Sequence, residues 1–298
     1  MTNNSQPSPQ QPWFDHDAIA AWIFLAPALI LLGLFLLWPI AYLVYLSFTT
    51  GSFTSTGIHW VGGRNYLRLA FDPDFWQVLG NTLYFTLATV VPSLIFPLGL
   101  AVLLNQSLAL RGLLRTAYFI PSITSLVAVG LGFRWLFQTE GPVNEWLNAL
   151  GFASIPWLGS TTWAMPILIL LSSWKQLGFN MVVFLAGLQA IPPNRYEAAE
   201  LDGANSWQKF WYITLPGLQS TLIFATITTA IFTLRSFEQV YMITGGGPLN
   251  STNVLVYYIY EQAFALFDFG YAAAAATVLL CFTLLLVYLQ LKTSGEES

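Results

Sequence analysis

Residues 22–46 read WIFLAPALILLGLFLLWPIAYLVYL, a continuous apolar run without a charged side chain. A helix needs about 20 predominantly apolar residues to cross the hydrocarbon core of a bilayer, so this run predicts a membrane-spanning helix. The run is too long for the apolar region of a signal peptide, and residues 1–17 before it contain no Lys or Arg. We therefore expect a retained membrane anchor, preceded by a disordered N-terminal tail at residues 1–17.

Five further runs have the same apolar character, and they occupy residues 82–104, 116–137, 164–188, 218–244 and 271–291. Of the 298 residues, 56% are hydrophobic and 8% are charged, whereas a soluble domain carries about 25% charged residues. The chain is therefore predicted to be an all-α integral membrane protein with six transmembrane helices within residues 18–291. Prolines inside several runs predict kinked or segmented helices, since neighbouring helices satisfy the carbonyl groups that proline leaves free.

The positions of Lys and Arg predict the direction of the six helices, because these residues are enriched in cytoplasmic segments. With a cytoplasmic N-terminus, five basic residues lie in cytoplasmic segments and two in external ones. The cytoplasmic group is Arg111, Arg115, Arg195, Lys209 and Lys292, and the external pair is Arg64 and Arg68. We therefore expect both termini in the cytoplasm, with a short C-terminal tail at residues 292–298.

The cytoplasmic segment between the fourth and fifth runs, residues 192–216, reads PPNRYEAAELDGANSWQKFWYITLP. Asn194 and Glu197 have the spacing of a helix N-cap and its capping-box partner. Gly203 suits the left-handed residue that often ends a helix. The segment thus predicts a short helix that starts at Asn194 and ends near Gly203.

A second short helix is expected to begin with Ser206 as its cap and to stop before Pro216, which lacks the N–H of a helical residue. In the first helix, Ala198 and Ala199 let another backbone approach closely, as in elements that dock into a groove on a partner. A connecting loop that rests on lipid head groups is the alternative. Residue chemistry alone favours neither interpretation.

The pattern E-A-A, three residues, G, nine residues, I-x-L-P is the EAA signature of ABC importer permeases, and the loop has this pattern from Glu197 to Pro216. The chain therefore resembles the membrane-spanning subunits of binding-protein-dependent ABC importers. The resemblance implies a coupling helix through which the loop contacts an ATPase. The implied coupling residues are Glu197, Ala198, Ala199, Asp202, Gly203, Ile213, Leu215 and Pro216.

Residues 62–66, 184–192, 241–248 and 267–273 also resemble the carbohydrate-type permeases, in particular the first permease of the maltose and glycerol-3-phosphate importers. The resemblance extends over nearly the whole chain. It implies a protein of the bacterial plasma (inner) membrane that pairs with a second homologous permease subunit. The further implied partners are two ATP-binding cassette ATPase subunits and an extracytoplasmic solute-binding protein. The implied cargo is a sugar or a related polar solute.

ATP hydrolysis is expected in a separate subunit, because the chain contains no Gly-Lys pair and the Walker A loop requires one. A membrane enzyme is an alternative, but the chain has two histidines, His16 and His59, and lacks an H-E-x-x-H motif and a cysteine pair. We therefore expect no catalytic site, no metal and no cofactor. The chain also has no basic patch that would suit a nucleic-acid partner.

Polar residues within the apolar runs are hypotheses for functional positions, because a charge in the hydrocarbon core is costly. Arg235 and Glu238 are three residues apart on the predicted fifth helix, so they are expected to share a face and to pair. Trp174, Lys175 and Asn180 combine an aromatic face with hydrogen-bonding groups, which suits a sugar ring. All five are candidate pore or substrate residues, and polar packing between helices is the alternative.

A secondary transporter or channel that works without an ATPase is the other alternative. Such proteins use intramembrane acids or repeated halves with broken helices. Glu238 is the one candidate acid within the apolar runs, and the sequence has no visible internal repeat. The EAA-like loop would have no role in that mechanism.

Overall fold

A computed structural model of the chain consists almost wholly of helices and describes residues 16–51, 57–106 and 110–295. The helices in chain order are α1 (His16–Leu32), α2 (Trp38–Ser47), α3 (Arg64–Phe71), α4 (Pro73–Leu104), α5 (Arg111–Ile123), α6 (Leu126–Leu136), α7 (Pro142–Ala149), α8 (Ala164–Ala190), α9 (Pro193–Leu201), α10 (Ser206–Lys209), α11 (Leu215–Gly217), α12 (Gln219–Leu234), α13 (Glu238–Ile243), α14 (Leu255–Tyr260) and α15 (Phe269–Gly295). Three π-helical segments continue the helical path at Gly33–Leu37, Phe210–Thr214 and Glu261–Ala265. Strands β1 (Thr49–Thr50) and β2 (His59–Trp60) form an antiparallel pair.

Each predicted tail lies partly outside the described residues and overlaps a helix where it is described. Helix α1 begins at His16, so the predicted tail at 1–17 overlaps the helix, and its residues 1–15 lie outside the described residues. Helix α15 continues to Gly295, so the predicted tail at 292–298 begins inside a helix, and its last three residues lie outside the described part. A helix that leaves the hydrocarbon core keeps its internal hydrogen bonds, so its ends extend beyond the apolar run.

The predicted spans correspond to the long helices of the structure. Four helical stretches are long and apolar enough to cross a membrane: Ala21–Ser47, Pro73–Leu104, Ala164–Ala190 and Phe269–Lys292. Two bent pairs also qualify by length and composition when each pair is taken as one span, which brings the number to six. The pairs are α5 with α6, and Ser206–Gly217 with α12. The predicted all-α membrane-spanning architecture is confirmed.

The third predicted span, at 116–137, is not one helix. Helices α5 and α6 meet at an angle of 92°, with Thr124 in an extended conformation between them. Pro121 stands in the last turn of α5, and the hydroxyl of Thr124 donates a hydrogen bond of 2.8 Å to the Pro121 carbonyl. Proline disrupts the helix, and the Thr124 hydroxyl pairs a carbonyl at the end of α5, so both residues favour a turn at this point.

The fifth predicted span, at 218–244, is also interrupted. Helix α12 ends at Leu234, and α13 begins only at Glu238. Arg235 caps the end of α12 with non-helical backbone angles of φ −93° and ψ 10°. This part of the chain therefore consists of two helices joined by a short polar link.

Helix α8 packs against α4, α5, α12 and α13. Gly178 allows α5 to approach α8 closely, because a Cβ atom at this position would lie 2.5 Å from the Tyr118 carbonyl oxygen and 2.6 Å from the Phe119 Cα atom. By contrast, the stretch Ala21–Ser47 has no buried residue in its most apolar window. Its exposed Leu, Ile and Phe side chains suit contact with lipid or with another membrane subunit.

Candidate functional site

The loop with the EAA-like pattern, residues 192–216, begins with α9, whose first residue Pro193 follows the extended Pro192. A proline at the first helical position leaves no N–H unpaired, so the two prolines define the start of the helix. Asn194 therefore lies inside the first turn, and no side chain caps this end. The predicted capping box of Asn194 and Glu197 is wrong for this reason.

The other end of α9 is as predicted, since Gly203 has the left-handed angle φ +79°. The N–H of Ala204 bonds the Ala199 carbonyl at 2.9 Å, and the N–H of Gly203 bonds the Glu200 carbonyl at 3.1 Å. These two bonds form a Schellman motif, which pairs the last free carbonyls of a helix. The motif fixes the direction in which the chain leaves α9.

Helix α10 starts one residue earlier than predicted. Asn205 is its cap, and a capping box joins Asn205 to Gln208 through bonds of 2.9 and 2.8 Å. Ser206, the predicted cap, is the first helical residue. The helix also does not stop before Pro216, because the π-helical segment Phe210–Thr214 leads into α11 and a π-bulge accommodates the missing proline N–H.

Two side-chain contacts join α9 to the second half of the loop. Lys209 forms an ion pair of 2.6 Å with Glu200, and the hydroxyl groups of Tyr196 and Thr214 lie 3.0 Å apart. The exposed tip between these contacts carries Leu201, whose side chain is 90% exposed. Sequence reasoning did not select Leu201, which stands alone between Glu200 and Asp202.

The predicted coupling residues divide into an exposed set and a half-buried set. The exposed ones are Glu197, Ala198, Asp202, Gly203 and Pro216, and the half-buried ones are Ala199, Ile213 and Leu215. The half-buried set packs within the loop and against the ends of the neighbouring helices. The exposed set and Leu201 leave a free face for a partner.

A cavity of about 430 Å³ lies where the two helix breaks meet the middle of α8. Its polar lining residues are Ser122, Ser172, Lys175, Gln176, Arg235, Ser236, Glu238 and Gln239. Its apolar lining residues are Phe119, Ile123, Leu126, Phe179, Phe232 and Phe237. Polar groups between aromatic side chains at the middle of a membrane span, next to broken helices, are typical of transport sites.

Lys175 stabilises one wall of this cavity. Its Nζ atom donates a hydrogen bond of 2.5 Å to the Thr124 carbonyl at the C-terminal end of α5, where a cation also complements the helix dipole. The hydroxyl of Ser122 donates a bond of 3.0 Å to the Lys175 carbonyl. Lys175 therefore closes the α5–α6 break against α8.

Arg235 and Glu238 line the same cavity but do not form the predicted pair. Among the residues that the structure describes, the ion pairs are Arg68–Asp268 and Lys209–Glu200. The prediction assumed one continuous helix, whereas α12 ends at Leu234 and Glu238 opens α13. The three-residue spacing therefore does not place the two side chains on one helical face.

The other two candidate pore residues lie elsewhere. Asn180 is fully buried, and its amide donates to the Ser93 carbonyl at 2.6 Å and to the Thr229 hydroxyl at 3.0 Å. Trp174 packs against Phe133 and lines a separate apolar depression between α4 and α8. Lys175, Arg235 and Glu238 are thus brought together, and Trp174 and Asn180 are not.

Sequence reasoning missed the polar neighbours of these charges. Gln239 donates a hydrogen bond of 2.9 Å to Ser172, which joins α13 to α8, and Gln176 lines the cavity. The available signal was the grouping of polar residues, since 172–176 and 235–239 are short polar interruptions in apolar runs. Among the described residues, no group of His, Cys, Asp or Glu side chains is arranged to hold a metal ion.

A second polar network joins α3, α4, α14 and α15 at one end of the bundle. The Asp72 carboxylate accepts hydrogen bonds from the hydroxyls of Tyr258 and Tyr271 and from the backbone of Asp74. Burial raises the pKa of Asp72, but these donors outweigh it and leave the pKa below its ordinary value. Arg68 pairs with Asp268 and stacks on the Tyr271 ring at 4.1 Å.

The profile of the family described as the inner membrane component of binding-protein-dependent transport systems matches residues 84–292. The match spans well over half of the chain and includes both the loop and the cavity residues. The chain belongs to this family. The family predicted from the EAA-like loop is thereby confirmed.

Other members of the family with similar sequences act in carbohydrate transport systems. The sulfoquinovosyl glycerol transport system permease protein SmoG of Agrobacterium fabrum is 40% identical, over 94% of this chain and 92% of its own length. The lactose transport system permease protein LacF of Rhizobium radiobacter is 39% identical, over 94% and 95%. The arabinooligosaccharides permease AraP of Bacillus subtilis is 36% identical, over 93% and 89%.

Solved structures of the family share the fold. A bacterial ABC transporter that imports the acidic polysaccharide alginate has a chain with a TM-score of 0.76 and 26% identity, over 93% of this chain and 97% of that one. An alginate transporter in complex with a periplasmic protein that holds an alginate pentasaccharide gives a TM-score of 0.78 at 24% identity, over 92% and 93%. This inner membrane component is thus a multi-pass integral membrane protein with the fold of an ABC importer permease.

Proposed function

We propose that this inner membrane component forms half of the translocation pathway of an ATP-driven importer for a sugar or a related polar solute. A second homologous permease supplies the other half, and two ATPase subunits bind the cytoplasmic face. An external binding protein delivers the solute. The relatives that transport lactose, arabino-oligosaccharides and sulfoquinovosyl glycerol support a carbohydrate cargo, and the alginate importer captured with its periplasmic protein supports the binding-protein partner.

One observation carries the proposal, namely a connection through consecutive helices, bent by 66° between Gly217 and Gln219, from the exposed loop to the cavity. The loop is braced by the contacts of Lys209 and Tyr196, and it leads through α11 directly into α12. Helix α12 ends at Arg235, which lines the cavity. A displacement of the loop by an ATPase therefore reaches the solute pathway through one helix, which is rigid-body coupling.

The exposed face of α9 is proposed as the coupling surface, with Glu197, Ala198, Asp202 and Gly203 seated in a cleft of the ATPase. The loop then lies in the cytoplasm, as do both termini, which agrees with the distribution of Lys and Arg. ATP binding and hydrolysis belong to the ATPase subunits. The role of this chain is to convert their closure into a change of the pathway between its inward-facing and outward-facing forms.

The cavity is the proposed binding region for the solute during transfer. Arg235, Lys175 and Glu238 offer donors and an acceptor of hydrogen bonds to sugar hydroxyls. Phe119, Phe179, Phe232 and Phe237 supply apolar faces between them. Trp174 and Asn180, which lie outside the cavity, are proposed to support the helix packing around it instead.

Co-purification from the native membrane tests the proposal. We expect an ATPase subunit and a second permease to co-purify with this chain, and to be lost when residues 197–203 are replaced by a flexible linker. An equal replacement of residues 143–149 in α7, which lies on the opposite side of the membrane in the proposed topology, is the matched control. A chain that purifies alone, or with partners that tolerate the loop replacement, would point to a transporter without an ATPase.

A further inference from the structure

Four aromatic side chains form a compact group next to the cavity, and a fifth extends it. Phe237, Tyr241, Tyr257 and Tyr260 are all in mutual contact, with ring centroids between 5.0 and 6.3 Å apart. Phe264 lies 5.4 Å from Tyr260. These five rings are called the aromatic cluster below.

The aromatic cluster is continuous with the wall of the cavity, because Phe237 belongs to both. From Phe237 the rings follow α13, α14 and the π-helical segment Glu261–Ala265. In the proposed topology α12 runs outward from the cytoplasmic loop, so these elements occupy the outer half of the protein. The cluster therefore extends from the cavity toward the side from which a solute arrives.

Two rings of the aromatic cluster are well exposed, since Tyr241 is 44% exposed and Phe264 is 62% exposed. Phe237, Tyr257 and Tyr260 are half-buried, and Tyr257 also packs against the core. Tyr258 and Tyr271, in contrast, are 3% and 0% exposed, and their hydroxyls are engaged with Asp72. The exposed faces of Tyr241 and Phe264 can therefore contact another molecule.

The position of Tyr257 in the aromatic cluster is held by the backbone beside it. A Cβ atom at Gly246 would lie 2.8 Å from the Tyr257 ring, so only glycine permits the ring to lie against this turn. Gly246 has the left-handed angle φ +78°. A backbone arrangement that accommodates one particular ring indicates a defined surface rather than a loose group of apolar residues.

We propose that the aromatic cluster is a carbohydrate-binding surface that guides the solute from the outer side into the cavity, and this inference rests on the proposed function. A pyranose ring presents a face of C–H groups that complements the electron-rich face of an aromatic ring. Stacking of this kind tolerates different sugars, as base stacking on aromatic residues tolerates different bases.

The proposal is tested with substitutions that remove the aromatic ring and with substitutions that keep it. Tyr241→Leu and Tyr260→Leu remove the ring, whereas Tyr241→Phe and Tyr260→Phe keep it. Tyr288→Leu on α15, where the side chain is 62% exposed away from the cluster, is the matched control. The assembled transporter in proteoliposomes is assayed for ATP-dependent uptake of lactose, an arabino-oligosaccharide and sulfoquinovosyl glycerol.

The expected result is a threefold to tenfold rise in KM for both Leu variants, with kcat changed less, and parental values for the Phe variants and the control. Saturation-transfer NMR of the purified chain with the same three sugars is the second measurement, and we expect the Leu variants to lose the signal. Leu variants that transport and bind like the parent overturn the proposal. Equal losses in the Phe and Leu variants also overturn it, because they assign the effect to the hydroxyl groups.

Failure of the proposed function has a different signature. If the parental complex takes up none of the three sugars in an ATP-dependent way, the importer proposal is contradicted for this cargo class. The NMR measurement still decides the present inference, because it depends neither on the ATPase subunits nor on the binding protein. Sugar binding that the parent has and the Leu variants lose then supports the proposed surface. Unchanged binding in the Leu variants, or no binding by the parent, overturns it.

Discussion

The close approach of α5 to α8 predicts that Gly178→Ala damages the protein more than an ordinary glycine substitution does. The added Cβ atom would lie 2.5 Å from the Tyr118 carbonyl oxygen, 2.6 Å from the Phe119 Cα atom and 2.7 Å from the Ser122 hydroxyl. Two of these three atoms belong to the backbone of α5 and cannot rotate away. The helices must therefore separate.

The required separation is roughly 1 Å, because non-bonded atoms reach their best contact at about 3.5–4 Å. Overpacking of this kind typically costs about 1–3 kcal/mol. The movement also lengthens the bond of 2.5 Å between Lys175 and the Thr124 carbonyl, since Lys175 lies one turn from Gly178 on α8. We therefore expect a lower Tm and a wider, less ordered wall of the cavity.

The assay compares Gly178→Ala with Gly99→Ala and Gly132→Ala, two helical glycines around which a Cβ atom meets nothing within 4 Å. The controls should keep or raise the Tm, because alanine favours a helix over glycine by about 1 kcal/mol. Gly178→Ala should lower the Tm of the detergent-solubilised chain and the uptake of solute by the assembled transporter. A Gly178→Ala protein that is as stable as the two controls would refute the helix contact described here.

Four further predictions concern the loop, the cavity, the interior and the outer network. Gly203→Asp should abolish ATP-driven uptake while the transmembrane helices keep their fold, because a side chain at this exposed turn meets no atom within 4 Å and the strain at the left-handed φ of +79° is confined to the loop. Normal uptake by the assembled variant would contradict the coupling assignment. Arg235→Gln should reduce uptake at least tenfold with little change in Tm, since the exposed side chain lines the cavity. Arg134→Gln, which lies outside the cavity, serves as the control, and equal uptake by both variants would remove Arg235 from the pathway. Asn180→Ala should lower stability by about 1–3 kcal/mol, because it leaves buried acceptors on α4 and α12 unpaired, and a Tm within error of the parent would count against this. Asp72→Asn should lower the Tm at neutral pH. The difference in Tm from the parent should narrow in acid, because the pKa of Asp72 in the folded chain lies below its unfolded value of about 3.8, and the stability from this carboxylate is lost as the pH falls through the folded pKa. A Tm difference that does not depend on pH would contradict the network.

The spans were predictable from sequence because each needs only a long apolar run, which is a property of composition. The structure agrees with the prediction to within a few residues at Ala21–Ser47, Ala164–Ala190 and Phe269–Lys292. The start of α4 at Pro73 was missed, because residues 73–81 are too polar to count as an apolar run and yet continue the same helix beyond the membrane core.

Proline in the third run predicted a kinked or segmented helix there, but the break after Leu234 was not predicted, and the error about the Arg235–Glu238 pair follows from it. Residues 235–239 form a polar interruption too short to divide the fifth apolar run by hydropathy, so that run reads as a single helix. The missing break at Leu234 produced the incorrect pairing of Arg235 with Glu238. The same break brings both residues to the end of a helix, where their side chains reach a cavity that a continuous helix would have filled with its own backbone.

The prediction of the loop is most accurate at the end of α9, where one backbone angle determines the residue type. It is least accurate at the helix starts, where neighbouring residues are alternative N-caps. Glycine at 203 was the one residue type suited to the left-handed angle, and the prediction is confirmed there. At the helix starts, Asn194 and Ser206 are good caps in isolation. Pro192 and Asn205 are the caps instead, because Pro193 suits the first helical position and Asn205 completes a capping box with Gln208.

The connections at the inner ends of α8 and α12 determine which wall of the cavity has to move during transport. A Cβ atom at Gly187 on α8 would lie 2.5 Å from the Thr221 hydroxyl on α12, and one at Gly217 would lie 2.9 Å from Ile191. Helices α8 and α12 are therefore locked together beside the loop, and α12 extends about 24 Å from there at 1.5 Å per residue. Two walls of the cavity thus move as one body with the loop. The third wall, the break between α5 and α6, is attached to this body through the Lys175 and Ser122 bonds and the close contact at Gly178. A change in the shape of the cavity must consequently alter these contacts, which is why a single methyl group at Gly178 is expected to affect transport as well as stability.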